Sequence, residues 1–181
     1  GGTGILSGTP LNIDVGAHDI TLSVTDNDVT IEQEFRITVE NVNDAPVFTS
    51  EPVLAAIEDT GYSYSIVADD VDVGDELLIT SSTLPSWLEL EDSGDGTGVL
   101  VGTPENDDVG DHAVVLRVTD SSGAFAVQSF FIEVENVNDV PTIALPDILT
   151  FSEDGFLTED FSQYAEDVDG DILEISVSGN E

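Results

Sequence analysis

Residues 96–120 read GTGVLVGTPENDDVGDHAVVLRVTD, and residues 2–26 read GTGILSGTPLNIDVGAHDITLSVTD, so the two stretches align without a gap. One residue of slippage later, FFIEVENVNDVP at 130–141 repeats FRITVENVNDAP at 35–46. Two shorter matches extend the pattern: VLAAIED (53–59) with ILTFSED (148–154), and DVDVGDELLI (70–79) with DVDGDILEI (167–175). The offset between the copies predicts a tandem repeat of about 95 residues.

The frame of this repeat divides the chain into three parts. We expect a complete repeat at 45–140, the C-terminal half of a preceding repeat at 1–44 and the N-terminal half of a following repeat at 141–181. Gly1 in place of a starting Met indicates a piece of a longer protein. Halves from different chains could pair head-to-tail and so give self-association. Unpaired halves would instead expose sheet edges.

Each repeat carries the alternation of apolar and polar residues that is typical of half-buried strands. In HAVVLRVT (112–119) the side chains of Val114, Leu116 and Val118 share one face. Turn signals rich in Gly, Pro and Asp separate such segments at short intervals, and no helical period appears. About seven short strands in roughly 95 residues predict an all-β fold, an immunoglobulin/cadherin-like sandwich of antiparallel sheets.

The composition excludes several classes of partner. The chain has 181 residues, with 39 Asp and Glu against two Arg and no Lys, and its formal net charge is −37. Nucleic acid and anionic lipid both require basic residues, so we exclude both as partners. There is no cysteine for a disulfide or a thiolate site. No apolar run approaches the roughly 18 residues that would span a bilayer, so we expect no direct membrane insertion.

Several landmarks in order resemble a known family. LPSWLEL (84–90) is followed by GTGVLVGTP, DVG, VTD and VENVND, and this series is similar to dystroglycan-type cadherin-like domains and the related "putative Ig" repeats of large bacterial surface proteins. The resemblance covers essentially the whole chain. It implies a secreted or cell-surface (extracellular) protein of several domains, with calcium-binding modules that are often adhesive or carbohydrate-associated.

Acidic residues are concentrated in two loops that are copies of each other. The denser loop runs from Asp69 to Glu76, and its copy runs from Glu166 to Asp171. Carboxylates this close repel one another unless a cation neutralises them. Calcium takes six to eight oxygen ligands from Asp, Glu and Asn side chains and loop carbonyls. We therefore predict calcium binding, and the alternative is a solvated acidic loop that keeps the protein soluble in salt.

The resemblance to cadherins implies which residues meet at the junctions between repeats. Cadherin linkers carry Asp-x-Asn-Asp-Asn-x-Pro, and the linkers here read NVNDAP (41–46) and NVNDVP (136–141), with fewer charges. The ligand set implied for the first junction is Asp14, Asn43, Asp44, Glu58, Asp70 and Asp72. The set implied for the second is Asp108, Asn138, Asp139, Glu153, Asp167 and Asp169. We interpret Asp26 and Asp120 as caps of the turns that follow their strands.

Other motifs do not support a different chemistry. An EF-hand loop starting at Asp167 would need Gly at the position of Ile172 and Glu at that of Ser178. Asp59-Thr60-Gly61 spells an aspartic-protease triplet, but the chain has no second triplet to complete a dyad. His18 and His112 are repeat mates beside strand starts, which favours structural roles. Trp87 is predicted to fill the sandwich core, with a sugar-stacking platform as the alternative.

The sequence therefore predicts a non-enzymatic, calcium-binding tandem module that acts in adhesion or as a calcium-rigidified extender. Its expected partners are calcium and a cell-surface protein or polysaccharide. The first alternative is a carbohydrate-binding module of a polysaccharide-associated protein. The second is a passive spacer whose acidity reflects a salty habitat.

Overall fold

The computed structural model describes residues 3–26, 28–150, 152–156 and 158–179. Its strands are β1 (Gly16–Thr25), β2 (Thr30–Val39), β3 (Val47–Phe48), β4 (Ala55–Ile57), β5 (Tyr62–Asp69), β6 (Leu78–Thr83), β7 (Leu88–Asp92), β8 (Thr97–Gly102), β9 (Gly110–Thr119), β10 (Phe125–Glu135), β11 (Thr142–Ile143) and β12 (Ala165–Glu166). The described ranges also contain three short 3₁₀ turns, at Asn12–Asp14, Asn106–Asp108 and Phe161–Tyr164.

Strands β3 to β10 form two four-stranded sheets, in the orders β4-β10-β9-β6 and β3-β5-β8-β7. All pairs are antiparallel except β4 with β10, which is parallel. The all-β prediction and the antiparallel sandwich are confirmed. The sequence led us to expect about seven strands, whereas eight are present, because the first edge segment is divided. Pro52 lies between β3 and β4, and the chain passes from one sheet to the other there.

The core lies between the two sheets, and alternating residues of the long strands fill it. Strand β5 shows the period directly, with Tyr62, Tyr64, Ile66 and Ala68 buried and the residues between them exposed. The predicted inward set of β9 is fully buried: Val114, Leu116 and Val118. The other buried apolar residues are Ala56, Leu77, Ile79, Leu88, Leu100, Ile132 and Val134.

The outer segments form smaller units. Strands β1 and β2 make one long hairpin that pairs from Gly16↔Val39 to Thr25↔Thr30. Its large apolar residues, among them Leu22, Val24 and Ile31, share one face and are largely exposed, while the opposite face is mainly polar. Strands β11 and β12 pair over only two positions. The assignment of 1–44 and 141–181 as halves of neighbouring repeats stays a prediction.

Candidate metal sites at the two junctions

The two acidic loops bring carboxylates together at the ends of corresponding strands. Asp70, Asp72 and Asp75 follow β5, and in the copy Asp167, Asp169 and Asp171 follow β12. In each group one carboxylate oxygen per residue lies within 4.8 Å of the others. Oxygens on opposite sides of a calcium ion are about 5 Å apart, since each Ca–O distance is about 2.3–2.6 Å. Both groups therefore have the spacing that one such ion requires.

Several of these oxygens are buried without a hydrogen-bond partner among the described residues. Asp72 is 7% exposed and its Oδ1 has no donor. The same holds for Asp70 Oδ2, Asp75 Oδ2 and, in the second loop, Asp169 Oδ1. A buried anionic oxygen without a partner is costly, so such atoms require a cation or a donor. The donor set is all oxygen, which suits a hard cation such as calcium.

Each acidic loop holds the linker that precedes it. The backbone N–H of Asp44 donates to Asp72 Oδ2 at 2.7 Å. In the second junction the backbone N–H of Asp139 donates to Asp169 Oδ2 at 2.6 Å. Within each loop the first Asp turns the chain, because Asp72 N–H donates to Asp70 Oδ1 at 2.8 Å and its copy repeats the bond. The linker and the loop after it are thus positioned by the same carboxylates.

At the first junction a further acidic residue reaches the linker from the end of β9. Asp120 is 6% exposed, and its Oδ2 accepts a 2.8 Å hydrogen bond from Asn43 Nδ2. Its Oδ1 accepts from the backbone N–H groups of Ser122 and Ala124, so the predicted cap is confirmed. The Asn43 amide, and then the backbone donors of the turn, lower the pKa of Asp120, although burial opposes them.

The 3₁₀ turns before β1 and β9 contact the following acidic segments through Asn side chains. Asn12 Nδ2 donates to Asp44 Oδ2 at 2.9 Å, and Asn106 Nδ2 donates to the carbonyl of Val168 at 3.0 Å. The predicted ligands of these turns were instead Asp14 and Asp108. In each of them Oδ2 accepts from a backbone N–H of its own turn, Leu11 or Glu105. The turns do reach the acidic segments, and the roles of Asp14 and Asp108 as metal ligands stay predictions.

Glu58 was grouped with the first junction, and that grouping is wrong. Its Oε2 accepts a 3.0 Å hydrogen bond from the backbone N–H of Val137, which belongs to the second linker. Its own N–H donates to the carbonyl of Glu135 at the end of β10. The reason is topological, since β4 runs parallel to β10 and both strands deliver their last residues to the same end of the sandwich. Glu58 is 1% exposed, and its Oε1 has no partner among the described residues.

The remaining linker and repeat residues are placed as follows. Asn138 Nδ2 donates to the carbonyl of Asp139 at 2.6 Å, as Asn43 donates to that of Asp44. Glu153, the repeat mate of Glu58, is exposed and takes part in no hydrogen bond among the described residues. Its grouping with the second junction therefore has no support. Asp75 and Asp171 lie in the predicted acidic loops, but the ligand sets did not include them.

Trp87 lies against the core and not on an open surface. Its ring packs edge-to-face on Tyr62, with centroids 5.7 Å apart, and on His112 at 5.8 Å. His112 Nε2 also contacts the carbonyl of Asp108 at 2.6 Å, and His18 repeats this contact with Asp14. The predicted core role of Trp87 and the structural roles of both histidines are confirmed. Asp26 caps its turn as expected, accepting from Asp28 and Val29.

The two stacked sheets, with their Greek-key order and acidic ends, define an Ig/cadherin-like β-sandwich module. The chain belongs to the family described as "Putative Ig domain", whose model matches residues 45–135. The search of curated proteins found no match. Among the described residues, no helix has the length and apolar character needed to cross a membrane.

Solved structures with a similar fold include cadherin domains. The protocadherin gamma B2 extracellular cadherin domains 1–5 share 15% identity at a TM-score of 0.59, over 72% of this chain and 27% of that one. The protocadherin gamma B4 extracellular domain shares 19% at a TM-score of 0.58, over 73% and 23%. An endo-fucoidan hydrolase from glycoside hydrolase family 107 shares 27% at a TM-score of 0.45, over 72% and 20%. The chain thus spans about a quarter or less of these proteins.

Proposed function

We propose that this chain is a calcium-binding tandem module of a secreted or cell-surface protein, and that calcium at its two junctions turns it into a stiff extender for adhesion. The observation that carries the proposal is the set of buried carboxylate oxygens without partners. At the first junction these are Asp70 Oδ2, Asp72 Oδ1 and Asp75 Oδ2, and at the second they are Glu58 Oε1 and Asp169 Oδ1. The proposed role is binding and not catalysis.

The residues present fit a hard divalent cation. Each group of three carboxylates would supply anionic oxygens, while the linker would add the side chains and carbonyls of Asn43 and Asp44, or of Asn138 and Asp139. Calcium accepts all of these ligand types and tolerates irregular geometry. The chain has a net charge of −37, so a bound cation also lowers the repulsion that opposes the compact state.

Stiffening follows from where the ligands originate. One group comes from the linker, another from the loop after it, and Glu58 or Asp120 comes from the body of the sandwich. An ion that needs all of them binds only the arrangement in which they meet. By mass action it stabilises that arrangement by about 2.7 kcal/mol once its concentration reaches a hundred times the dissociation constant.

Thermal unfolding tests the proposal. We expect millimolar calcium to raise the melting temperature of the chelator-treated protein, and small-angle scattering to report a longer, narrower distribution of end-to-end lengths. The Asp70→Ala/Asp72→Ala variant should lose most of the rise at the first junction. If sodium chloride of equal ionic strength stabilises the wild type as much as calcium does, the chain is an acidic spacer and the proposal fails.

The expected partner of this adhesive module is a cell-surface protein or a polysaccharide. A calcium-stiffened rod would hold other modules of the protein away from the cell so that they reach this partner, and it would need no pocket of its own. Extracellular modules bind calcium in the range of about 10⁻⁴–10⁻³ M, so they are filled outside cells and empty in the cytosol. Isothermal titration calorimetry should therefore give dissociation constants in that range.

A further inference from the structure

The outer face of the sheet β4-β10-β9-β6 is unusually apolar for a solvated surface. Along β10 the large apolar side chains of this face are Phe125, Val127 and Phe131, which are 49%, 52% and 64% exposed, and the exposed Ser129 lies between the last two. Beside them on β9 lie Ala113 and Val115, and on β6 Leu78 is 54% exposed. We call these six apolar residues, together with Arg117, the apolar face.

The hairpin β1–β2 provides an internal comparison, because it has the same register as β9–β10. Where the apolar face has the cross-strand pair Ala113↔Phe131, the hairpin has Asp19↔Arg36, joined by a 2.8 Å ion pair. Where the face has Arg117↔Val127, the hairpin has Ser23↔Glu32, joined by a 3.2 Å hydrogen bond. Thr21 and Thr30 stand in the places of Val115 and Phe125.

The two corresponding strand pairs, β1–β2 and β9–β10, thus have outer faces of different polarity. The hairpin residues at these positions are polar and satisfy one another, as expected for a face in water. On the complete repeat most of the same positions are apolar (Ala113, Val115, Phe125, Val127 and Phe131), and Arg117 and Ser129 are the polar members. Exposed apolar patches of this kind mark interaction sites. The register of the two strands does not require them, since the hairpin copy pairs in the same register without them.

The charges on the apolar face are also unmatched within the chain. At one end Asp111 and Glu133 are directly opposite each other across β9 and β10, and both are exposed. Like charges in this position destabilise a sheet. At the other end lies Arg117, one of only two basic residues, and its guanidinium carbon is 3.8 Å from the centre of the Phe125 ring. Arg117 pairs with no carboxylate among the described residues.

We propose that the apolar face binds the same face of a second copy of the chain, with the strands of the two copies antiparallel. On β9, Asp111 of the acidic pair and Arg117 lie six residues apart, on either side of the apolar centre. A two-fold axis midway between the cross-strand pairs Ala113↔Phe131 and Val115↔Ser129 therefore places Arg117 of each copy opposite the acidic pair of the other. The interface is isologous, as in most symmetric dimers. It does not depend on calcium at the junctions.

The expected affinity is modest. Strands of ten and eleven residues, spaced about 4.8 Å apart, give a four-stranded face on the order of 500 Å². A standard stable interface buries about 800 Å² on each partner. The net charge of −37 on each copy adds long-range repulsion, which salt screens over a length of about 8 Å at physiological ionic strength. We expect a concentration-dependent dimer that is stronger in moderate salt than in low salt.

Complementary charge variants test the antiparallel arrangement. Sedimentation equilibrium in chelator at physiological ionic strength would compare the wild type, Arg117→Glu, Glu133→Arg and an equimolar mixture of the two variants. Each variant alone places like charges across the interface, so we expect its dimer to weaken at least tenfold. In the mixture every 117–133 contact joins opposite charges, so a heterodimer of near wild-type affinity should form. A mixture that associates no better than its components overturns the arrangement.

A graft of the hairpin surface tests the face itself. The variant Ala113→Asp/Val127→Glu/Phe131→Arg installs residues that the hairpin carries at the same positions, so the fold should tolerate it, and unchanged circular dichroism would check this. We expect this variant to remain monomeric at concentrations where the wild type dimerises. A wild type that stays monomeric up to millimolar concentration overturns the proposal and would indicate a different protein or a polysaccharide as the occupant.

Discussion

The backbone N–H of Asp139 donates a 2.6 Å hydrogen bond to Oδ2 of Asp169. The same bond joins Asp44 to Asp72 at 2.7 Å in the other junction. In both cases the second oxygen of the acceptor carboxylate is buried without a partner among the described residues. In each carboxylate Oδ2 therefore binds the linker, and Oδ1 remains available to a cation. Linker binding and cation binding thus use different atoms of the same residue.

Asp72→Asn tests this separation. The amide oxygen of the replacement can still accept from Asp44, whereas the charge at the buried Oδ1 is lost. In chelator we expect the melting temperature to stay equal or rise, because repulsion from Asp70 and Asp75 is relieved. In calcium we expect a smaller rise than in the wild type, measured by differential scanning calorimetry.

Glu89→Gln is the matched control for Asp72→Asn. Glu89 is an exposed residue of β7, so its loss removes one charge without touching a junction. Equal effects of the two variants on the calcium-dependent rise would mean that only total charge matters. That result would count against a specific site.

Glu58→Gln should act on the other junction. Glu58 is 1% exposed and its Oε2 accepts from Val137, so an amide preserves the packing while removing the buried charge. We expect this variant to weaken calcium binding at the second junction only. Because Asp72 lies at the first junction, the effects of the two substitutions on a calorimetric titration should add. A non-additive result would place Glu58 and Asp72 in one site and contradict the structure.

Trp87→Ala should destabilise the sandwich and leave any sugar binding unchanged. The ring is partly buried and packs on Tyr62 and His112, so we expect a loss of about 2–3 kcal/mol, less than the 3–5 kcal/mol of a fully buried ring. Urea denaturation measures the loss. Retention of the wild type on insoluble polysaccharide, abolished by this substitution without loss of folding, would contradict the core assignment.

Tyr62 should make the stability fall at high pH. Burial, and then the neighbouring Tyr64, raise the pKa of Tyr62 from 10.0 to about 12. The unfolded chain ionises first, so the contribution of Tyr62 is fully present below pH 10 and is lost as the pH rises toward 12. The phenol donates to the carbonyl of Val53 at 2.8 Å, and Tyr62→Phe removes both the bond and the titration. Between pH 10 and pH 12 the difference in unfolding free energy between the wild type and Tyr62→Phe should become smaller. A difference that stays constant over this range would refute the raised pKa of Tyr62.

Much of the sandwich could be predicted from local pattern, because strand alternation and turn residues act over a few positions. The inward set Val114, Leu116 and Val118 follows from the period of two. The repeat frame rests on the matched segments and stays a prediction. The split of the first strand into β3 and β4 could not be predicted, since nothing local marks which sheet an edge residue joins.

The candidate sites show the same limit. Loop-borne Asp70 and Asp72, and their copies Asp167 and Asp169, are close in sequence, so their clustering could be predicted from spacing alone. Glu58 and Val137 are 79 positions apart, and their contact depends on the parallel pairing of β4 with β10. The Asn side chains that cross the junctions carry no charge, and for that reason a search for acidic ligands passed over them.

The sequence by itself determined the strands, the strongly acidic character and the two loops in which carboxylates lie close together, because each of these depends on neighbours along the chain. Only the tertiary structure decided which end of the sandwich receives Glu58 and which oxygens are sealed from water. It also placed the exposed residues of β1–β2 and of β9–β10 on corresponding faces, one polar and the other mainly apolar. Burial and cross-strand register arise when distant strands meet, and no single segment contains that information.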